Sequence, residues 1–223
     1  MLGGEPAATC PPTCHRGPAT PRLPRKTMPG IRLASSLLGA ALVVGSAAAS
    51  PLEHRFWTHM LQHLALGDVG PLLLVLGRPS PRLGPLERPA LALPLWAASL
   101  LAWHLSPLYD AALEHEPVHL LQHLCFLVAG LALWSALLRP GPAWFTATRR
   151  LPYVLGMWAV SLALSQIFLW SARSYYGRYS LNDQRAGGGV MLVEGSIVML
   201  GVVVWLLFRL FAESEERQRA LDG

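Results

Sequence analysis

Long apolar runs alternate with short polar stretches along most of the chain. The apolar segments cover residues 33–49, 56–76, 89–105, 118–138, 151–172 and 187–211. Most are close to the length of about 20 residues that a helix needs to cross a bilayer. Gly67, Gly70 and Pro71 interrupt the second segment, and charged residues fall mainly between segments. The pattern therefore predicts an all-α fold, a polytopic membrane helix bundle of about six transmembrane helices.

The two ends of the chain depart from this pattern. Residues 1–30 are rich in Pro and Gly, which predicts a disordered leader before a bundle at 31–211. Residues 212–223 are charged and read as a short cytoplasmic tail. Arg32, the apolar run after it and the small residues at 47–50 are also typical of a signal peptide, with Met28 as an alternative start. Cleavage there would leave five helices.

Composition excludes several classes of protein. The chain is 52% hydrophobic and only 14% charged, whereas soluble domains are about 25% charged. Its net charge of +5 comes from Arg residues that form no stripe with interleaved aromatic residues, as a nucleic-acid interface would need. The sequence predicts a lipid bilayer as the surroundings and no nucleic-acid partner.

The distribution of positive charge predicts the topology. Loops 77–88 and 139–150 contain three Lys or Arg residues each, and 106–117 contains none. Because cytoplasmic loops are enriched in these residues, we expect 77–88 and 139–150 inside and 53–58, 106–117 and 173–186 outside. Loop 173–186, with three Arg, fits this alternation poorly. The prediction is a multi-pass protein of the cell (plasma or inner) membrane.

Histidines are the candidate functional residues. His59 and His63 are four positions apart and share a helix face, and His119 and His123 repeat that spacing. On adjacent antiparallel helices the two pairs would offer up to four nitrogen ligands, with His104 near them, and imidazole suits copper, zinc, iron or nickel. Seven of the eight histidines lie at or near predicted outer (periplasmic) helix ends: His54, His59, His63, His104, His115, His119 and His123.

Two methionines could add sulfur ligands to such a site. A thioether from Met60 or Met191 favours Cu(I). Met60 follows His59 directly and is expected to point about 100° away from it around the helix. Copper is the predicted metal.

Two alternative functions use the same histidines. A haem could be held between one histidine from each of two helices, although the second histidine of each pair would then have no role. Residues 115–119 also match the H-E-x-x-H signature of zinc proteases. Pro117 disfavours helical geometry at Glu116 and places His115 before the helix, which breaks the protease geometry.

Other polar residues within the apolar segments have less specific interpretations. Asp68 and Glu194 are part of a proton or ion path, buried partners for Arg or His, or packing contacts between helices. Tyr and Trp residues near segment ends fit interfacial belts.

Several short motifs occur together in this chain. They are Ser-Pro-Leu at 50–52, His-Met-Leu-Gln-His at 59–63, Gly-Pro-Leu-Leu-Leu-Val-Leu-Gly-Arg-Pro at 70–79, Trp-His at 103–104, Pro-Leu-Tyr-Asp-Ala-Ala-Leu at 107–113, the run from His119 to His123, and Asp-Gln at 183–184. Over about residues 34–210 they resemble the CtaG family, the multi-span cytochrome c oxidase assembly factors associated with caa3-type oxidases.

The resemblance implies a non-catalytic membrane factor that matures haem-copper cytochrome c oxidase by binding or delivering copper at the outer face. It implies oxidase subunits, and possibly a copper chaperone, as partners. The family's outer histidines carry over to the residues that complete the predicted copper site together with Asp183: His59, His63, His104, His119 and His123. The chain departs from the family at Gln122, where Glu is frequent, at Asp68, where apolar residues are usual, and in lacking an additional first helix.

Overall fold

The structure is a computed structural model that describes residues 29–49, 54–77 and 82–222. Within these ranges every regular element is a helix, which confirms the predicted all-α fold. The predicted disordered leader falls almost entirely outside the described residues. Met28 and the Ser-Pro-Leu motif at 50–52 also lie outside them.

Eight α-helices follow one another along the described chain. They are α1 Pro29–Ala48, α2 Phe56–Leu64, α3 Gly70–Gly77, α4 Pro89–Trp103, α5 Ser106–Glu114, α6 Glu116–Leu138, α7 Ala147–Trp170 and α8 Leu181–Asp222. Five helical stretches are long and apolar enough to cross a membrane, with α2 and α3 joined as one of them. The pair α4 and α5, bent by 72°, makes a sixth if it forms one span. This agrees with the predicted five or six.

The stretch after α4 is helical, whereas the sequence pattern predicts an outer loop at 106–117. Pro107 lies in the first turn of α5, where its missing N–H costs nothing and its fixed φ suits a helix. Tyr109 and Ala112 on this helix are buried. The loop prediction is therefore wrong for Ser106–Glu114, because one apolar face of this short segment packs against the bundle.

A π-helical turn, Ala65–Val69, joins α2 to α3. The predicted interruption of this segment is confirmed. Pro71 has no N–H to donate to the carbonyl of Gly67, four residues earlier. A side chain at Gly130 of α6 would collide with that same carbonyl oxygen. The absence of a Cβ at Gly130 thus lets α6 approach the turn closely.

Arg150 caps the C-terminal end of α6. Its buried guanidinium donates hydrogen bonds to the carbonyl oxygens of Leu137, Arg139 and Phe145. The last carbonyls of a helix have no partner within the helix, so Arg150 satisfies groups that would otherwise be buried unpaired. Arg139 also forms an ion pair with Glu87 at 2.9 Å, which joins the α6 end to the turn before α4.

The last helix is longer than any bilayer requires. With 42 residues at about 1.5 Å each, α8 extends well beyond the apolar segment 187–211. It begins six residues earlier than predicted, at Leu181, and the charged stretch at 212–222 continues it. Helix α7 packs along α8.

We expect Gly130→Val to destabilise the bundle by about 1–3 kcal/mol, because the added methyl groups must push α6 away from Gly67. Thermal unfolding of the purified protein in detergent measures this change. Gly201→Val is the matched control, since Gly201 lies on an exposed face where an added Cβ would meet nothing within 4 Å. Equal melting temperatures for the two variants would contradict the close approach.

Candidate metal centre

The five histidines predicted to bind a metal lie together inside the bundle. Each exposes 7% or less of its surface. They come from two helices and from the residue that ends α4. This set, called the histidine cluster below, consists of His59 and His63 of α2, His104, and His119 and His123 of α6.

The cluster is arranged in layers. The ring centroids of His59 and His119 are 5.6 Å apart, and those of His63 and His123 are 6.0 Å apart. His104 lies against the second layer, 6.0 Å from His63. Within each helix the paired rings are 4.1 Å apart, as a spacing of four residues brings them onto one face.

The direction of the two helices differs from the sequence expectation. Because His59 faces His119 and His63 faces His123, α2 and α6 run in the same direction. The expectation of antiparallel helices is wrong. Helix α4 runs back between them in the chain, so α2 and α6 both begin at the same end of the bundle.

His104 has a defined tautomer. Its Nδ1 lies 2.7 Å from the carbonyl oxygen of Leu100, which can only accept, so Nδ1 carries the hydrogen. An imidazolium buried without an adjacent carboxylate would be costly, which leaves a lone pair on Nε2. That nitrogen lies 3.4 Å from the sulfur of Met60. Two electron-pair donors therefore face each other at a distance at which both could bind one ion.

Met60 belongs to this arrangement, although helix periodicity predicts that it points away from His59. It does point away from His59, and on that side His104, the residue that ends α4, lies 3.4 Å from its sulfur. The structure thus gives Met60 a neighbour from another helix, which the periodicity of a single helix could not reveal.

A small cavity lies beside these groups. Its accessible volume of about 30 Å³ is enough for roughly two water molecules. Met60, His63, His104 and Met191 line one part of it, and Asp68 lies in another part. The described residues leave no room here for a porphyrin, so the haem alternative has no support from this cavity.

Two buried polar side chains, one in the histidine cluster and one next to His123 in the chain, lack partners among the described residues. They are His63, at both ring nitrogens, and Gln122, at both amide atoms. Gln122 is fully buried, at the position where a carboxylate is frequent in the family. Buried polar groups are nearly always satisfied by protein, water or an ion. These orphaned atoms therefore fit a site that takes up a polar ligand.

The arrangement of the side chains bears on which metal ion the histidine cluster would suit. Among the described residues, no three His, Cys, Asp or Glu side chains converge to hold one ion. A structural zinc site needs four such ligands, and a catalytic zinc site needs three. Pairs of imidazoles with thioethers beside them suit the softer Cu(I) ion better.

An aromatic layer covers the cluster at the end where α2 and α6 begin. Phe56, Tyr109 and Tyr176 are fully buried, and the rings of Tyr109 and Tyr176 stack at 4.0 Å. The Tyr109 ring lies 5.1 Å from His59. The sequence suggested that tyrosines near segment ends form an interfacial belt. For Tyr109 and Tyr176 this prediction is wrong, because both side chains are buried. Their position near segment ends gave no signal of the loop that folds over the site.

Tyr176 also fixes His104. Its hydroxyl donates a 2.7 Å hydrogen bond to the His104 carbonyl oxygen. Burial raises the pKa of the Tyr176 phenol, so the group stays protonated and remains a donor.

The remaining predicted residues lie around the cluster rather than in it. The Asp183 carboxylate accepts a 2.7 Å hydrogen bond from the backbone N–H of Phe56 and so caps α2. Gln184 is buried and accepts from the N–H of Tyr175 at 2.7 Å. His115 is exposed and precedes α6. This is the position predicted from Pro117, and it does not fit the helical H-E-x-x-H geometry of a zinc protease.

Comparison with known proteins identifies the chain's relatives at the level of a family. A family model described as cytochrome c oxidase caa3 assembly factor (Caa3_CtaG) matches residues 19–213. No curated protein and no solved structure matches the chain.

We expect Tyr176→Phe to lower the free energy of unfolding by about 1 kcal/mol, because it leaves the buried His104 carbonyl without its donor. Thermal or denaturant unfolding in detergent measures the loss. Tyr175→Phe is the control, since Tyr175 exposes 38% of its surface. A Tyr176→Phe protein as stable as the control would show that this hydrogen bond does not hold the loop.

Proposed function

The chain belongs to the family of caa3-type cytochrome c oxidase assembly factors, and from this premise we propose that it binds Cu(I) and passes it to the oxidase. In this proposal it is a membrane factor without catalysis, located in the inner membrane with the histidine cluster towards the periplasm. The charge distribution of the loops supports that orientation.

One observation carries the proposal: the Nε2 lone pair of His104 faces the Met60 sulfur at 3.4 Å. At this separation a cation beside the two atoms can accept a lone pair from each. Typical metal bonds of about 2.0 Å to nitrogen and 2.3 Å to sulfur allow one ion to reach both atoms. His63 and Met191 line the same cavity and complete a set of two nitrogen and two sulfur donors.

The outer histidines would act as the entrance to this position. His59 and His119 lie in the first layer and His123 in the second, so a cargo ion would meet imidazole pairs in succession on its way to His63. Weak two-donor binding at each layer suits a protein that must release its cargo. Asp183 would support the entrance through the α2 cap rather than as a ligand.

The partners follow from this role. The oxidase subunit that houses copper would receive the ion, and a copper chaperone outside the membrane would supply it. The aromatic layer over His59 would then have to move, since it covers the entrance. Tyr109 and Tyr176 of this layer come from α5 and from the loop before α8.

Copper competition with a colorimetric Cu(I) chelator tests the site. We expect His63→Ala and Met60→Leu each to weaken Cu(I) binding by at least about tenfold, the loss that even ligand-orienting groups produce. Met60→Leu keeps the side-chain volume, so its effect reports the sulfur. His54→Ala is the control, because His54 is exposed outside the cluster.

The same variants distinguish a copper role from a structural one in cells. In a strain that depends on this chain for oxidase maturation, we expect His63→Ala to reduce the copper content of the purified oxidase while the chain itself accumulates normally. Wild-type copper binding and oxidase activity in both His63→Ala and Met60→Leu would refute the proposed site.

A further inference from the structure

The loop between α7 and α8, residues 171–180, carries more positive charge than its position in the bundle explains. It contains Arg173 and Arg178, and Arg185 follows in the first turns of α8. The loop lies at the end of the bundle where α2 and α6 begin, which is the predicted outer end. Arginine is enriched in cytoplasmic loops rather than outer ones. These arginines therefore need a role other than orienting the chain in the membrane.

Hydrogen bonds hold this loop in a defined conformation. The backbone N–H of Tyr175 donates to the side-chain oxygen of Gln184 at 2.7 Å, and the Ser106 hydroxyl donates to the Tyr175 carbonyl oxygen at 3.1 Å. The guanidinium of Arg185 donates to the carbonyl oxygen of Ser171 at 3.0 Å. The loop is thus a formed surface, and Arg185 takes part in building it.

Three other arginines at this end are not used in the same way. Arg55, Arg173 and Arg178 are exposed, and they form the arginine patch discussed below. The ion pairs of the described chain lie at the opposite end of the bundle and involve none of them. Their positive charges are therefore available to a group from outside the described chain.

The arginine patch borders the aromatic layer that covers the histidine cluster. Arg55 directly precedes Phe56, whose ring stacks on that of Tyr176 at 5.3 Å. Tyr176 in turn lies between Arg173 and Arg178 along the loop. A molecule bound to the patch would thus lie next to the covered entrance to the cluster.

Negative charge at this end of the bundle is separated from the patch. Asp110 and Glu114 lie on α5, and Glu116 is the first residue of α6. None of the three forms an ion pair with the patch within the part of the chain that the structure describes. The end of the bundle therefore presents a positive side and a negative side, an arrangement that orients an approaching charged protein.

The chemistry of the patch favours an acidic polypeptide as its partner. Guanidinium groups bind carboxylates through two parallel hydrogen bonds. Tyr175, between Arg173 and Arg178, exposes 38% of its surface, and Arg and Tyr are both enriched at protein interfaces. Lipid phosphates also bind arginine, but lipids surround a bundle, whereas the buried Tyr176 holds this loop across the end of the bundle.

We propose that the arginine patch is the docking surface for an acidic, water-exposed segment of the oxidase that receives the copper ion. The identity of the partner rests on the copper function above. Attraction between the arginines and the acidic segment brings the two proteins together with the entrance to the histidine cluster facing the oxidase. The contact forms and breaks without a covalent step.

Binding kinetics between the full-length chain and the oxidase test the patch. The oxidase is purified from a strain that lacks this chain and is immobilised, and the purified chain in detergent is passed over it. We expect Arg173→Glu combined with Arg178→Glu to lower the association rate constant about tenfold at about 50 mM NaCl, because electrostatic steering acts on association. The wild-type rate should fall towards that of the variant at about 500 mM NaCl, where salt screens the charges.

A matched control makes the same change of net charge at the other end of the bundle. Arg149→Glu combined with Arg217→Glu alters two exposed arginines, one where α7 begins and one near the end of α8, so this variant should associate at the wild-type rate. Both double variants should bind Cu(I) as the wild type does, because the histidine cluster is untouched. Equal association rates for the two double variants would overturn the docking surface.

Other outcomes separate this proposal from the one it rests on and from lipid binding. Arginine-dependent association by a chain that binds no Cu(I) overturns the copper function and leaves the docking surface standing. A chain that binds Cu(I) without associating with the oxidase overturns the docking surface alone. The kinetics are repeated in nanodiscs of zwitterionic lipid. An arginine dependence that disappears without anionic lipid assigns the patch to lipid headgroups and overturns the proposal.

A photo-crosslink locates the contact without altering the arginines. With p-benzoyl-phenylalanine in place of Tyr175, we expect a crosslink in intact membranes to an oxidase peptide that contains Asp or Glu and faces the periplasm. The same group in place of Trp144, which exposes 48% of its surface at the opposite end of the bundle, is the control and should give no such crosslink. Failure of position 175 to reach any acidic oxidase peptide refutes the docking surface.

Discussion

The close contact between the Gly67 carbonyl and Gly130 determines where the histidines lie. Gly67 belongs to the π-helical turn between α2 and α3, and Gly130 to α6. A side chain at Gly130 would move the helices apart. With both glycines present, the contact sets the separation and the axial position of α2 relative to α6. His63, four residues before Gly67, and His123, seven residues before Gly130, then lie with their ring centroids 6.0 Å apart.

Burial of polar groups in an apolar bundle gives the histidine cluster its chemistry. In water, each imidazole nitrogen would be satisfied by solvent at little cost. Inside the bundle the Leu100 carbonyl selects the tautomer of His104. No group in the described chain forms a hydrogen bond with the ring nitrogens of His63. Burial therefore leaves the His63 ring as an unsatisfied polar group inside the described part of the bundle.

The sequence predicted correctly what a single helix decides, which is the placement of the histidines on helix faces. The spacing of His59 and His63, and of His119 and His123, placed each pair on one helix face. It failed where contacts between helices decide. Met60 lies 3.4 Å from His104, the residue that ends α4, and Tyr176 reaches the His104 carbonyl from 72 residues away. The carboxylate of Asp183, a predicted ligand, accepts a hydrogen bond from Phe56 at the N-terminus of α2, a contact that helix periodicity does not predict.

By itself the sequence determined the all-helical membrane class, the number of spans and the pairing of histidines on helix faces. These properties follow from local periodicity and from the length of apolar runs, which one helix expresses alone. The tertiary structure decided that α2 and α6 run in the same direction, that Ser106–Glu114 folds as a helix, and that the Trp134 indole N–H donates a hydrogen bond to Asp68. Such relations depend on which helices become neighbours, and that depends on close contacts between distant glycines and on caps formed between distant residues.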